Sequence, residues 1–253
     1  MKSGAEHYGA RALADPCSKL AFALDYPTLA EARRGAELVA PSAGVLKLGL
    51  ELFVAEGPAC VRLGAELGSR IFLDLKLHDI PETVERAVAS ACALGVSFLT
   101  LHASGGPKML ERAAARVARE GSSLTLLAVT VLTSMDDSDL RAIGSVDAAS
   151  AQVNRLAQLA FSAGVRGFVC SVAEAKTLRE TLGAEAVIVT PGIRPAGAAV
   201  GDQKRVATPA EALRAGASVL VVGRPIRDAA DPRAAAAAVA AEIREAERAA
   251  NAG

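Results

Sequence analysis

The sequence predicts a single-domain α/β fold, the (β/α)8 or TIM barrel, on three observations. Eight short apolar runs recur along the 253 residues. Most are hydrophobic throughout instead of alternating, as expected for parallel strands covered on both faces. The stretches between them carry helix start and stop signals, and no linker-like change of composition divides the chain. A doubly wound sheet would need a switch point and usually a Gly-rich first turn, and Ala23-Leu24-Asp25-Tyr26-Pro27 is not one. Residues 1–18 read as an N-terminal extension and residues 19–250 as the barrel.

In chain order, the runs are Leu20–Leu24, Gly44–Leu48, Ile71–Leu75, Phe98–Leu101, Leu124–Val129, Gly167–Cys170, Ala186–Val189 and Val219–Val222. Thr28 can cap a helix over Leu29–Val39, and Pro81 opens one over Glu82–Ala93. Asp147 can start a helix through Ala163, Thr208-Pro209 one over Ala210–Ala215, and Asp231-Pro232 the Ala-rich last helix. Gly95, Gly164, Gly183 and Gly216 follow helical stretches, as helix C-termini prefer.

Composition narrows the partners. Lys and Arg number 28 against 28 Asp and Glu, so no global field draws the chain to nucleic acid or an anionic membrane. There is no Trp and little Tyr or Phe to stack bases. Cys17, Cys60, Cys92 and Cys170 are scattered, with neither a CxxC pair nor a His at metal spacing. No run reaches transmembrane length, and the first residues lack an apolar signal core, so a reducing cytoplasm is the expected compartment.

Chemistry concentrates in Asp74-Leu75-Lys76-Leu77-His78-Asp79, where a buried strand runs out. Asp74 and Lys76, at i and i+2, should share a strand face. Charges are costly to bury unless paired or used. Alone, the segment reads equally as a reaction centre or as a salt bridge followed by a cap, because Asp79-Ile80-Pro81-Glu82 has the form of an N-cap, an early proline and a capping-box acid. The other strand ends decide between the two. A barrel of this class places its active site at the C-terminal ends of its strands. There the sequence puts Asp25, Lys47, His102, the segment Thr130–Ser134, Thr190-Pro191-Gly192-Ile193-Arg194-Pro195 and Gly223-Arg224-Pro225. Charges on three consecutive strand ends are hard to explain as packing. His78 and His102 read as structural groups.

The last two strand ends add an anion-binding character. Barrels often hold phosphate with the loops after strands seven and eight. Gly223 leaves room for close approach, Arg224 offers a fork of donors, and Gln203 stands at the far end of a small-residue loop over residues 195–205. The residues alone thus point to a phosphorylated small molecule and to Lys76 as a proton donor in an alternating Lys47, Asp74, Lys76, Asp79 cluster.

The run Phe72-Leu73-Asp74-Leu75-Lys76-Leu77-His78-Asp79-Ile80-Pro81-Glu82-Thr83-Val84 closely resembles the signature of the orotidine 5′-phosphate decarboxylase family. The resemblance extends from Leu20 to about Ile226. It takes in Ala23-Leu24-Asp25, Lys47-Leu48-Gly49, Leu132-Thr133-Ser134, Pro191–Pro195, Gly201-Asp202-Gln203 and Val222-Gly223-Arg224. Glu82 departs from the Asn common in the family. The resemblance implies conversion of orotidine 5′-monophosphate to uridine 5′-monophosphate and CO2, the last step of de novo UMP synthesis, with neither metal nor organic cofactor. It implies that Lys76 protonates C6 and that Asp74 lies beside the departing carboxylate. Lys47 and Asp25 would contact the ribose, and Thr133 the pyrimidine. Arg194, Gln203, Gly223 and Arg224 would grip the phosphate. Asp79, with Ile80 and Thr83, would reach the partner's site in a homodimer.

Two rivals remain open. Magnesium-dependent sugar-phosphate lyases of the same superfamily share the Asp-x-Lys-x-x-Asp pattern, but they resemble a version with an acid at position 47, where this chain has Lys. A non-catalytic barrel that binds a phosphorylated nucleotide would keep Lys76 without using it as an acid.

Overall fold

The computed structural model describes residues 16–195 and 207–251. Eight parallel strands follow one another around a closed barrel, and β1 pairs with both β2 and β8. They are β1 (Leu20–Ala23), β2 (Val45–Leu48), β3 (Arg70–Leu77), β4 (Phe98–His102), β5 (Thr125–Val129), β6 (Gly167–Val169), β7 (Val187–Thr190) and β8 (Val219–Val222). The helices are α1 (Leu29–Val39), α2 (Leu50–Glu56), α3 (Arg62–Leu67), α4 (Pro81–Ala93), α5 (Pro107–Arg119) and α6 (Asp137–Ala142). They continue as α7 (Ala149–Ser162), α8 (Val172–Leu182), α9 (Pro209–Arg214), α10 (Arg224–Arg227) and α11 (Pro232–Asn251). The (β/α)8 barrel read from the sequence is therefore the fold.

The strands are short and apolar because each is buried twice. Alternate residues point inward, where Ala21, Val45, Phe72, Phe98, Leu127 and Val219 belong to one inner cluster. Those between them, such as Phe22, Leu46, Leu73, Leu99 and Ile188, join the larger cluster shared with the helices. Inside the barrel, bulk on one strand is matched by its absence on the next. The rings of Phe72 and Phe98 meet edge-on at 6.0 Å. Beside Leu127, β6 carries Gly167, where a Cβ would fall 2.3 Å from Leu127 Cδ2 and 2.7 Å from the Leu126 carbonyl oxygen. Only glycine allows β6 to lie that close.

The lower end of the barrel is closed from within. Arg70, at the start of β3, places its guanidinium 5.7 Å from the Phe98 ring centre and donates to the Ser18 carbonyl at 2.7 Å. Ser18 lies in a 3₁₀ turn, Pro16–Lys19, whose Cys17 carbonyl accepts the Gly44 N–H at 2.7 Å. With that end filled, the open end must be the one where the strands finish. Residues 1–15 of the expected extension lie outside the described residues.

Helix boundaries follow local chemistry. Thr28 caps α1 by accepting the Glu31 N–H at 3.3 Å, and Thr208 with Glu211 forms a reciprocal capping box on α9. Asp231 accepts the Ala234 N–H at 3.0 Å at the start of α11. The expected start at Asp147 is wrong. Its helix, α7, begins two residues later, because Asp147 pairs with Arg155 at 3.1 Å while Asp137 takes the Ala149 N–H at 2.8 Å. Alanine-led α7 has no side-chain cap of its own.

Candidate active site

A cavity of about 250 Å³ opens where the strands end. Its charged wall comes from three neighbouring strand ends. Lys47 is the last inward residue of β2, two beyond Val45, and Asp74 the inward residue two beyond Phe72 on β3. Asp25 stands just past β1. Lys47 Nζ lies 3.5 Å from Asp25 Oδ1 and 3.4 Å from Asp74 Oδ2, and Lys76 Nζ lies 2.9 Å from Asp74 Oδ1. The four groups form a line of alternating sign, Asp25–Lys47–Asp74–Lys76, with no net charge. Asp74 and Lys47 are nearly enclosed, Lys76 is more open, and Asp25 sits at the rim. Burial works against the Asp74 carboxylate. The Lys47 and Lys76 ammonium groups, with hydrogen bonds from Lys76 and Thr100, outweigh it and hold the carboxyl below its ordinary 3.8.

Lys76 reaches this line by an irregularity that strand periodicity does not foresee. The register runs Leu73↔Leu99 and then Leu77↔Leu101, so β3 spends four residues where β4 spends two. Within this bulge Lys76 has φ +50°, alone in the left-handed region among the described non-glycine residues. A bulky residue there costs about 1–3 kcal/mol and persists only where its surroundings over-determine it. The sharing of a face by Asp74 and Lys76 is therefore real, but plain i, i+2 alternation is not what produces it. Thr100, inward-facing on β4 and fully buried, meets the bulge from the side. Its hydroxyl accepts the Lys76 N–H at 2.9 Å and donates to Asp74 Oδ1 at 2.9 Å.

The rest of the mouth is apolar on one side and basic on the other. Val131, Leu132, Val169, Val189 and Pro191 supply the apolar side, with Thr133 among them. Arg194, Gly223 and Arg224 supply the side opposite β3. Arg194 is 9% exposed and donates to its neighbouring Ile193 carbonyl at 3.1 Å. At Gly223 a Cβ would make only an ordinary contact, 3.4 Å from Ala23 Cβ, so close packing within the protein does not demand the glycine. Gly49 is tighter, since a Cβ there would stand 3.3 Å from Asp25 Oδ1 and 3.6 Å from Lys47 Nζ. Gln203 lies outside the described residues.

Asp79, Ile80 and Thr83 are exposed and do not line this cavity. The capping expected of Asp79 is absent. Its carboxylate accepts the adjacent Ile80 N–H at 2.6 Å, Ile80 occupies the N-cap position of α4, and Glu82 pairs with Arg86 in place of closing a box. Pro81 at the first turn removes one donor that a cap would serve. The His78 and His102 rings lie tilted by 36° with their centres 5.3 Å apart, beside the site. Burial, then the electrostatic influence of neighbouring His78 and Lys76, push His102 below its ordinary 6.5, against the pull of Asp74.

Sequence reading missed Thr100, the apolar wall residues Val169 and Val189, and Arg227. From α10, Arg227 grips Asp228 with two nitrogens and donates to the Asp25 carbonyl at 3.0 Å, tying the β1 end to the Arg224 side. A buried threonine inside an apolar strand was the only signal for Thr100. The cavity valines look like any other barrel valine. Among the described residues, no group of three or more His, Cys, Asp or Glu could hold a metal ion.

The sequence model of the orotidine 5′-phosphate decarboxylase / HUMPS family matches residues 18–239. The chain belongs to that family. An orotidine 5′-phosphate decarboxylase of Anaeromyxobacter sp. (strain K) is 57% identical over 228 residues, covering 90% of this chain and 99% of the relative. One from Moorella thermoacetica is 52% identical over 231 residues, covering 89% and 92%. A crystal structure of the Lactobacillus acidophilus orotidine 5′-phosphate decarboxylase superposes with a TM-score of 0.79 at 37% identity, over 89% of this chain and 99% of that one. The match thus spans all eight strands, including every strand end that carries the charged line.

Proposed function

We propose that the chain decarboxylates orotidine 5′-monophosphate to uridine 5′-monophosphate and CO2, the final step of UMP synthesis, and that the Asp25–Lys47–Asp74–Lys76 line performs the chemistry. The observation that carries this reading is the enclosed Asp74 carboxylate held between two ammonium groups at 2.9 and 3.4 Å, in a chain of this family. The pyrimidine would lie against the apolar side and Thr133, with its C6 carboxylate toward Asp74. As the C6–carboxylate bond breaks, its electron pair stays on C6, and CO2 leaves. Lys76 Nζ gives a proton to C6 and forms the product C–H bond.

The carbanion has no conjugated sink, so fixed charge must stabilise it. An ammonium ~3 Å away contributes about 5 kcal/mol at an effective dielectric of ~20. Preorganisation is the chain's part in this, because Lys47, Asp74, Thr100 and the bulge hold Lys76 before substrate arrives. Asp25 and Lys47 would bind the ribose. Arg194, Gln203, Gly223 and Arg224 would bind the phosphate, whose remote binding energy presses the pyrimidine onto the charges.

Asp79, Ile80 and Thr83 fit a second role. They are exposed, Ile80 at 66%, and do not line their own cavity. Leu50 and Val54, just after the neighbouring strand β2, are exposed as well. We place this surface against a second copy of the chain, with Asp79 adding a carboxylate to the partner's line in a C2 homodimer. No helix among the described residues is long and apolar enough to cross a membrane, and no disulfide joins the cysteines, which suits a cytoplasmic enzyme.

The magnesium-dependent alternative resembles a version with an acid at position 47, where this chain instead has Lys47, its Nζ within 3.5 Å of both Asp25 and Asp74. Loss of the orotidylate absorbance on adding purified protein, equal with and without a chelator, is the expected result. Absence of that loss contradicts the reading, and loss abolished by the chelator favours the metal-dependent one.

A further inference from the structure

We propose that Thr100 is a positioning residue for this reaction: its hydroxyl clamps the left-handed backbone at Lys76 to the carboxylate of Asp74 and so sets where the ammonium stands. The inference rests on the decarboxylase reading and extends it to a residue that touches neither substrate nor the breaking bond.

Three observations converge on this hydroxyl. The register between β3 and β4 slips only at the stretch Leu73 to Leu77, and Thr100 is the β4 residue between the two flanking partners, Leu99 and Leu101. Lys76 stands inside that stretch with φ +50°, a conformation that needs outside support in a lysine. Thr100 is 0% exposed, and its single oxygen accepts from the Lys76 N–H and donates to Asp74 Oδ1, each at 2.9 Å.

A hydroxyl is the smallest side-chain group that can accept and donate at once. Valine has the same shape and can do neither. It would leave the part-buried Lys76 N–H without its acceptor and take one donor from Asp74, while the methyl packing of β4 stays filled. The backbone at Lys76 would then be free to relax toward the ordinary β region. That swings its side chain, because side-chain direction follows the backbone. Lys76 has only Asp74 as a salt-bridge partner among the described residues, so the lost register falls on the proton donor. A bulge kept only for barrel closure would make Thr100 a stability residue. Turnover per folded molecule would then be indifferent to it.

The test compares Thr100→Val and Thr100→Ser in the full-length protein, with thermal unfolding, UMP affinity, and kcat and KM for orotidine 5′-monophosphate across pH. Expected for Thr100→Val is a kcat lower by about 10- to 10²-fold, the scale of a ~1 Å misplacement, with UMP affinity within about threefold of wild type. The acid limb of its kcat profile should move to higher pH, since Asp74 loses a donor that favours its charged form. Thr100→Ser keeps the hydroxyl and should stay within about threefold of wild type in kcat. Should Thr100→Val fail to fold, Thr100→Cys, of similar size with a weak donor, is expected to show the same fall and the same pH shift. A valine or cysteine variant with wild-type kcat overturns the proposal while the decarboxylase reading stands. So does an equal fall in the valine and serine variants. A wild-type protein without turnover overturns both together.

Discussion

At the scale of single residues, the site is one enclosed carboxylate and the groups that keep it ionised. Asp74 is buried yet held below its ordinary 3.8, since two lysines and a threonine hydroxyl outweigh desolvation. A carboxyl lowered on folding adds stability that is fully present above the unfolded value and is lost as pH falls through the folded one. Wild-type urea midpoints should therefore drop more steeply below about pH 4 than those of Asp74→Asn, and parallel curves would refute this. The charged line was legible in the sequence because ionised residues at consecutive strand ends have no packing explanation. Thr100 was not legible, because a threonine in an apolar strand usually needs only a backbone partner.

At the scale of elements, β3 is where expectation and structure part. An apolar run followed by Asp-x-Lys reads as a regular strand, but the strand continues to Leu77 through a bulge. Bulges arise from pairing with a neighbour, so no pattern within β3 announces one. The cap expected at Asp79 failed for a related reason, since Pro81 and the backbone after the bulge leave the carboxylate turned to Ile80. β6 shows the opposite case, a three-residue strand whose glycine is fixed by its neighbour's bulk. Gly167→Ala forces a Cβ to within 2.7 Å of the Leu126 carbonyl oxygen. It should cost about 1–3 kcal/mol by urea unfolding, and a variant as stable as wild type would show that β5 and β6 can part without penalty.

For the whole molecule, eight apolar runs with their turn signals, and a first turn without the glycines of a doubly wound sheet, were enough to give the barrel. The proposed partner contribution lies beyond any single-chain pattern and rests on resemblance. If Asp79 serves the neighbouring site, Lys76→Ala and Asp79→Ala chains, each inactive alone, should complement when mixed. One site of each hybrid dimer then has both residues, so an equal mixture that exchanges freely recovers about a quarter of wild-type activity. No recovery after confirmed exchange would place Asp79 in its own site.

The most direct single measurement is the rate of orotidine 5′-monophosphate decarboxylation by wild-type protein and Lys76→Ala in one absorbance assay. The wild type should turn over, and the variant should lose at least ~10³-fold in kcat, since proton donation and charge stabilisation leave together. A variant within tenfold of an active wild type, or a folded wild type that leaves the substrate unchanged, would contradict a reaction centred on Lys76.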